Sequence, residues 1–109
     1  MFSAIERQQM MSAVRETILH GINYGTMIEI EHKQFNDSLL VPAAAFVTLT
    51  MDGLLRGCVG SIETTEPLID SLIYNAFNAA FDDPRFFPVS QDEFNLIDIE
   101  LAIIGQRTP

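Results

Sequence analysis

A cysteine and an arginine lie two positions apart in one short segment, and their types could support covalent chemistry. Cys58, the only cysteine among 109 residues, follows Arg56 in the segment 55–60, which reads LRGCVG. A cysteine acts as a nucleophile when a nearby positive charge stabilises its thiolate. Two residues apart on a strand, Arg56 would share a face with Cys58 and could supply that charge. Cys58 is therefore a candidate catalytic thiol.

The alternative interpretation of Cys58 is a small buried apolar residue, which is the usual environment of a free cysteine. A thiol enzyme would also need a base, and no feature of the sequence places His20 or His32, the only histidines, beside Cys58. One cysteine with two scattered histidines has no metal-ligand spacing, so we predict no metal site. Catalysis and core packing both stay open for this thiol.

Two glycines in the same segment indicate close packing or a ligand. Gly57 and Gly60 lie among β-forming residues, where glycine usually marks a bulge or the close approach of another backbone or a ligand. Arg56 would be structural if paired and an anion anchor if free in a cleft. Three carboxylates are candidate partners for Arg56: Asp82, Asp83 and Glu100. Arg56, Gly57 and Gly60 are thus candidate binding residues.

A second unusual segment, 82–88, reads DDPRFFP. Pro84 predicts a rigid corner, and Asp83 can accept hydrogen bonds from Arg85. Phe86 and Phe87 would either fill the core or, if exposed, form a patch that binds a partner. We take Asp83, Pro84 and Arg85 as further candidate binding residues.

The amino-acid composition limits the classes of protein to which this chain can belong. A chain of 109 residues with 48% apolar residues predicts one domain with a core. Fifteen acidic and six basic residues give a net charge of −9, which disfavours binding to nucleic acids or anionic membranes. The lone cysteine, an acidic N-terminal segment and the lack of a long apolar run predict a soluble protein of the reducing cytoplasm.

Apolar periodicity and turn residues predict the first half of the fold. A capping box at Ser3 begins a helix over residues 3–20 that ends near Gly21, and a short strand follows over 26–33. Asp52-Gly53 is a hairpin turn between strands 45–51 and 54–62. Regular pairing would put Arg56 opposite Leu49 and Cys58 opposite Val47. Both faces of this hairpin are mixed in polarity, so we expect helices or loops to cover part of each.

The second half predicts a buried helix and a half-buried strand. The helix starts at residues 64–67 with hydroxyl caps and a proline in its first turn, and it ends by Asp83. Its apolar stripe consists of Ile69, Leu72, Ile73, Ala76 and Ala80. Its polar strip consists of Ser71, Tyr74, Asn75 and Asn78. A capped turn over 90–94 and an alternating strand over 95–103 complete an α+β fold with an antiparallel sheet flanked by helices.

These segments together resemble the AMMECR domain family. The likeness is carried by residues 45–49, by LRGCVG, by 79–86 (AAFDDPRF) and by 99–101, and the N-terminal helix matches in outline. Val59 and Phe87 depart from the residues usual in the family. The resemblance supports the α+β fold and selects Arg56, Gly57, Cys58, Gly60, Asp83, Pro84 and Arg85 as the residues that matter.

The resemblance also implies that family domains continue beyond the strand that ends near Ile104. Further strands and helices there would complete the sheet and build a second lobe, so we expect residues 1–109 to be a single domain that lacks its C-terminal part. This predicts an unpaired sheet edge, which a second copy could cover as a homodimer.

For function, the resemblance implies a role in basic cellular or regulatory processes. Similar prokaryotic domains occur beside or fused with Memo-like and radical S-adenosylmethionine proteins. One hypothesis is a cytoplasmic binding or regulatory module for a protein or small-molecule partner. The other is an enzyme that uses Cys58 on a small anionic substrate held by Arg56. No particular cofactor is implied.

Overall fold

The computed structural model describes residues 2–61 and 65–104. In chain order its elements are α1 (Ala4–Tyr24), β1 (Ala44–Met51), β2 (Leu54–Gly60), α2 (Leu68–Phe81), α3 (Gln91–Phe94) and β3 (Asp98–Ile104). The three strands form an antiparallel sheet in the order β2-β1-β3. The α+β prediction is confirmed. No described helix is long and apolar enough to cross a membrane.

Helix α1 begins at the predicted capping box but ends later than predicted. The Ser3 side chain accepts a hydrogen bond from the backbone N–H of Glu6, whose carboxylate accepts one from the Ser3 N–H. The predicted end near Gly21 is wrong, because Gly21 is helical and makes room for a neighbouring side chain. A Cβ there would lie 2.2 Å from the ring of Phe81. The helix ends instead before Gly25, whose φ of 73° is left-handed.

The strand predicted over 26–33 is not formed. Residues after α1 run as coil into a short 3-10 helix, His32–Gln34, and a second follows at Asp37–Leu39. Ile28 and Ile30 are half-buried against the core. Their burial explains the alternating pattern without a partner strand.

The β1–β2 hairpin forms as predicted, but its register is shifted. Asp52 and Gly53 have φ of 52° and 77°, which suits a tight two-residue hairpin turn. The expected pairs of Arg56 with Leu49 and of Cys58 with Val47 are wrong, because one extra residue is inserted in β2. Leu49 pairs with Gly57, and Thr50 with Leu55, so that Arg56 has no partner on β1. Arg56 is therefore the extra residue of a β-bulge.

Helix α2 lies between α1 and the sheet. Its predicted apolar stripe is buried, but the predicted polar strip is wrong for Ser71 and Asn75, which are buried as well. Asn75 satisfies its amide by donating to Ala45 O at 2.9 Å. The predicted hydroxyl caps do not form among the described residues; Pro67 is the N-cap and makes no side-chain hydrogen bond, and Thr64 lies outside those residues.

All helix packing that buries the sheet lies on one face. Ala45, Val47 and Leu49 of β1 point to that face and are fully buried. We call the opposite side the outer face. Its members are Phe46, Thr48, Cys58, Glu100 and Ala102. The first three are half-buried and the last two are exposed.

Helix α3 forms where the capped turn is predicted, whereas β3 begins at Asp98, three residues later than the predicted strand. Ser90 and Glu93 form the capping box of α3. Strand β3 alternates in burial, with Ile99, Leu101 and Ile103 turned toward the core. Among the described strands β3 pairs only with β1, and the homodimer across its other edge stays a prediction.

Gly57 is the point of closest approach between α2 and the sheet. A Cβ on Gly57 would lie 2.2 Å from the carbonyl oxygen of Ala79, a backbone atom that cannot rotate away. A Cβ on Gly60 would instead lie 2.0 Å from the ring of Phe46, which is a side chain. A side chain at position 57 is therefore excluded by the backbone of α2, whereas one at position 60 is excluded by the ring of Phe46.

We therefore expect Gly57→Ala and Gly60→Ala to differ in cost and in rescue. Gly57→Ala should lower the free energy of unfolding by about 3 kcal/mol, whereas Gly60→Ala should cost about 1 kcal/mol because the ring can move. Adding Phe46→Leu should recover stability in the Gly60 variant but not in the Gly57 variant. Urea unfolding measures all four proteins, and equal rescue of both glycine variants would contradict the assignment.

Candidate functional site

The segments 55–60 and 82–88 meet at the edge of β2 that does not pair with β1. The carboxylate of Asp83, just beyond the end of α2, accepts a hydrogen bond from the backbone N–H of Cys58 at 3.1 Å. This N–H lies on the strand edge that faces away from β1. Asp83 is only 5% exposed. Its carboxylate accepts the hydrogen bond that the carbonyl oxygen of a neighbouring strand would otherwise accept from this N–H.

Asp83 is in turn held by Arg85. Its Oδ1 accepts from the backbone N–H and the Nε of Arg85, and its Oδ2 accepts from Nη2 at 2.7 Å. These hydrogen bonds from Arg85, together with the one from the Cys58 backbone, hold the pKa of Asp83 well below its usual range. The predicted pairing of Asp83 with Arg85 is present, and the carboxylate is ionised at neutral pH.

Pro84 lies in the turn that brings the side chains of Asp83 and Arg85 together. The Phe86 N–H donates to Asp83 O at 3.1 Å, which closes a four-residue turn with Pro84 as its second residue. Proline suits that position because its φ is already restricted. The turn brings the guanidinium of Arg85 back onto the carboxylate two residues before it.

Arg56 does not pair with any of the three carboxylates proposed from the sequence. Its Nε and Nη2 each donate to Glu93 of α3 at 2.9 Å, in a bidentate ion pair. The two side chains are 12% and 25% exposed. The hydrogen bonds from Arg56, with those from Ser90, lower the pKa of Glu93 to about 2. Glu93 was visible in the sequence only as part of a capping box, and no local signal shows that the same carboxylate reaches across to β2.

One aromatic ring connects the two ion pairs. The Cζ of Arg56 lies 5.8 Å from the centroid of Phe86, and the Cζ of Arg85 lies 5.3 Å from the same centroid. Both distances allow cation–π contact. Nη1 of Arg56 is buried and has no hydrogen-bond partner in the described structure. Phe86 thus packs against both cations, whereas Phe87 is 88% exposed.

Cys58 lies beside this cluster with its side chain on the outer face. Its Sγ is 3.3 Å from Thr48 Oγ1, and the residue is partly exposed. The predicted role of Arg56 beside the thiol is not supported, because Arg56 is the bulge residue and binds Glu93. The pKa of Arg85 is raised mainly by its hydrogen bonds to Asp83, the carboxylate that also accepts from the Cys58 backbone N–H.

No histidine accompanies Cys58. His20 Nε2 lies 3.2 Å from Thr26 Oγ1, and His32 Nε2 lies 2.8 Å from Asp70 Oδ2. Within residues 2–61 and 65–104, no group of three or more His, Cys, Asp or Glu side chains is arranged to hold a metal ion. The described part of the chain therefore brings together a thiol, a hydroxyl and a guanidinium, without a histidine base.

Glu93→Gln should change both stability and its pH dependence. At neutral pH we expect a loss of about 2 kcal/mol or more, because the buried Arg56 charge loses its partner. The lowered pKa of Glu93 contributes stability above its unfolded value of about 4.3, and this contribution is lost as pH falls toward 2. Urea unfolding at a series of pH values should therefore show a flatter acid dependence for the variant. Asp92→Asn, an exposed change one residue earlier, is the control, and a wild-type slope in Glu93→Gln would contradict this role.

Comparison with known proteins places these segments in a family. The AMMECR1 family model matches residues 11–109. A protein of Methanosarcina barkeri is 35% identical over 108 residues, with 97% of this chain and 54% of the relative covered. A protein of Aeropyrum pernix is 31% identical over 106 residues, covering 94% and 45%. One of Methanothermobacter thermautotrophicus is 48% identical over 64 residues, covering 59% and 33%.

A solved structure shares the fold. The crystal structure of an uncharacterized protein from Pyrococcus horikoshii superposes with a TM-score of 0.82 at 29% sequence identity. The match covers 90% of this chain and 50% of that one. Where nearly the whole chain is aligned, it thus spans about half of the length of these relatives. Because the family model matches nearly all of the chain, the protein belongs to the AMMECR1 family.

Proposed function

We propose that this chain is a binding or regulatory module whose recognition surface is the outer face of the sheet. The observation that carries the proposal is the difference in burial between the two faces: the members of the outer face are half-buried or exposed, whereas Ala45, Val47 and Leu49 on the opposite face are fully buried. We infer that Gly60 borders this surface and that Arg56, Asp83, Pro84 and Arg85 form its edge. Gly57 contributes from the opposite face, where it lets α2 approach the sheet.

The ion pairs of the site favour the binding of a protein partner over the binding of a small anion. Arg56 and Arg85 are each paired to a carboxylate, so neither is a free anchor for a small anion. The outer face combines half-buried Phe46 and Thr48 with exposed Glu100. This mixture suits a protein partner with an apolar centre and basic groups at the rim. A net charge of −9 and an unpaired cysteine support a cytoplasmic setting without nucleic-acid or membrane binding.

Site-specific photo-cross-linking tests the recognition surface. A photoreactive phenylalanine analogue replaces Thr48 at the centre of the outer face or, as control, the exposed Arg15 of α1, in cells that naturally produce the protein. We expect a discrete adduct from position 48 only, which excess untagged protein removes by competition. Equal adducts from both positions, or none from position 48, would contradict the proposal.

A second candidate is a thiol enzyme that acts through Cys58. The observation in its favour is that Cys58 is partly exposed and its backbone N–H donates to Asp83, the carboxylate that holds the guanidinium of Arg85. A positive charge beside the sulfur promotes the thiolate that nucleophilic attack requires. The base would then come from the substrate, from solvent or from chain beyond the residues described.

Alkylation kinetics decide between the two candidates. If Cys58 is a nucleophile, iodoacetamide at about pH 6 should label the folded protein faster than the urea-unfolded chain. Arg85→Ala should remove that acceleration, whereas Arg15→Ala should not. Labelling that is slower in the folded protein than in urea would exclude the enzyme and leave the binding module.

A further inference from the structure

One edge of strand β3 is not covered by any described strand. The Ser61 N–H donates to Ala45 O at 3.1 Å, so the odd-numbered residues of β1 near this pair direct their backbone groups toward β2 and the even-numbered ones toward β3. Because Thr48 is opposite Glu100, the even-numbered residues of β3 bond to β1. The backbone N–H and C=O groups of three residues therefore point to the uncovered edge: Ile99, Leu101 and Ile103. Within the described part of the chain, no turn, cap or side chain bonds to these groups.

The opposite edge of the sheet, on β2, is closed by other segments. Cys58 is opposite Thr48 and directs its N–H away from β1, where Asp83 accepts it. The bulge at Arg56 interrupts the same edge, and α3 is attached there through Glu93. Strand β3, which reads DIELAII, has no bulge in its pairing with β1, no proline and no lysine. Three common devices that protect an edge strand from pairing are therefore missing from β3.

The core-facing side chains of β3 are incompletely buried. Ile99, Leu101 and Ile103 are turned toward the core but only half-buried, whereas Val47 and Leu49 of β1 are fully buried. A further strand at this edge would place its own side chains beside these three residues. Apolar side chains there would remove more of the apolar surface of β3 from water.

The outer side chains of β3 indicate the charge of that further strand. Asp98 and Glu100 are exposed, and neither forms an ion pair with another described residue. A second copy of the chain would bring the same two carboxylates and its own net charge of −9 to the edge, and like charges oppose pairing. Basic side chains would instead form favourable cross-strand pairs. The charges thus favour a basic segment over a second copy.

We propose that the uncovered edge of β3 binds an extended segment of another protein by antiparallel strand addition, and that apolar and basic residues alternate in this segment. Main-chain hydrogen bonds supply the affinity, and the alternating side chains supply the specificity. Because residues directly opposite each other share a face, the apolar residues of the segment hydrogen-bond to β3 and its basic residues lie beside Asp98 and Glu100. The site is a strand edge, so it does not rest on the recognition surface around Thr48 proposed above.

A fluorescein-labelled peptide, Lys-Val-Lys-Val-Lys-Val-Lys, tests the proposal by fluorescence anisotropy with the full chain. We expect saturable one-to-one binding at about 0.15 M salt, where attraction between distant exposed charges is screened. N-methylation of the valines removes the N–H groups that bond to β3 and should weaken binding about tenfold or more. N-methylation of an equal number of lysines alters only the far edge and should change the Kd by less than about threefold. No binding of the parent peptide, or equal effects of the two methylations, would overturn the proposal.

Amide hydrogen exchange, resolved by residue with NMR, locates the added strand. In the free protein the Leu101 N–H should exchange faster than those of Glu100 and Ala102, which bond to β1. Saturation with the peptide should slow exchange at Leu101 about tenfold or more and leave Cys58, whose N–H is bonded to Asp83, within about twofold. Unchanged exchange at Leu101 in the complex would place the peptide elsewhere and overturn the site.

Charge reversal tests the choice of a basic segment. The wild type should prefer the lysine peptide to Glu-Val-Glu-Val-Glu-Val-Glu by about tenfold or more. Asp98→Lys combined with Glu100→Lys should reverse this preference. Glu16→Lys combined with Glu29→Lys changes the net charge equally at exposed positions outside β3 and should keep the wild-type preference. Reversal in both double variants would show general attraction between charges and overturn the proposal.

Sedimentation of the free chain separates the proposed partner from a second copy. We expect a monomer at the concentration used for NMR. A dimer whose Leu101 N–H already exchanges slowly without peptide would show that a second copy occupies the edge, and would overturn the proposed partner.

Discussion

The carboxylate of Asp83 joins parts of the chain that are 25 residues apart. It accepts one hydrogen bond from the edge of β2 and three from Arg85, all while nearly excluded from solvent. The corner that ends α2 is thereby attached to the strand that carries Cys58. Without it, the Cys58 N–H and the guanidinium of Arg85 would both lose their hydrogen-bond acceptor. The site therefore depends on one buried anion.

The glycine at position 57 makes this attachment possible. Because α2 lies against the sheet with the Ala79 carbonyl where a Cβ would be, the end of the helix comes close enough for Asp83 to reach β2. The adjacent bulge removes Arg56 from the β1 ladder and directs it to Glu93. Both features allow a segment that follows α2 to contact the edge of β2. For Gly57 this segment is the corner at Asp83, and for the bulge it is α3.

Charge is distributed unevenly between the two ends of α2. At its C-terminal end two arginines are neutralised by carboxylates and share the ring of Phe86. At its N-terminal end Asp70 forms an ion pair with His32. The first arrangement attaches the corner at Asp83 and helix α3 to the edge of β2, whereas the second connects α2 to the short 3-10 helix after α1. Ion pairs at both ends thus fix α2 to segments that are distant in the sequence.

Elements whose signals are local could be predicted from the sequence. The Ser3 and Ser90 capping boxes, the Asp52-Gly53 turn and the apolar stripe of α2 each depend on neighbours within a few residues. Three features were visible only once the chain was folded: the bulge at Arg56, the partner of that arginine, and the burial of Ser71 and Asn75. These outcomes depend on which backbone lies opposite, and a register shift of one residue or a contact across 37 residues leaves no periodic trace in the chain.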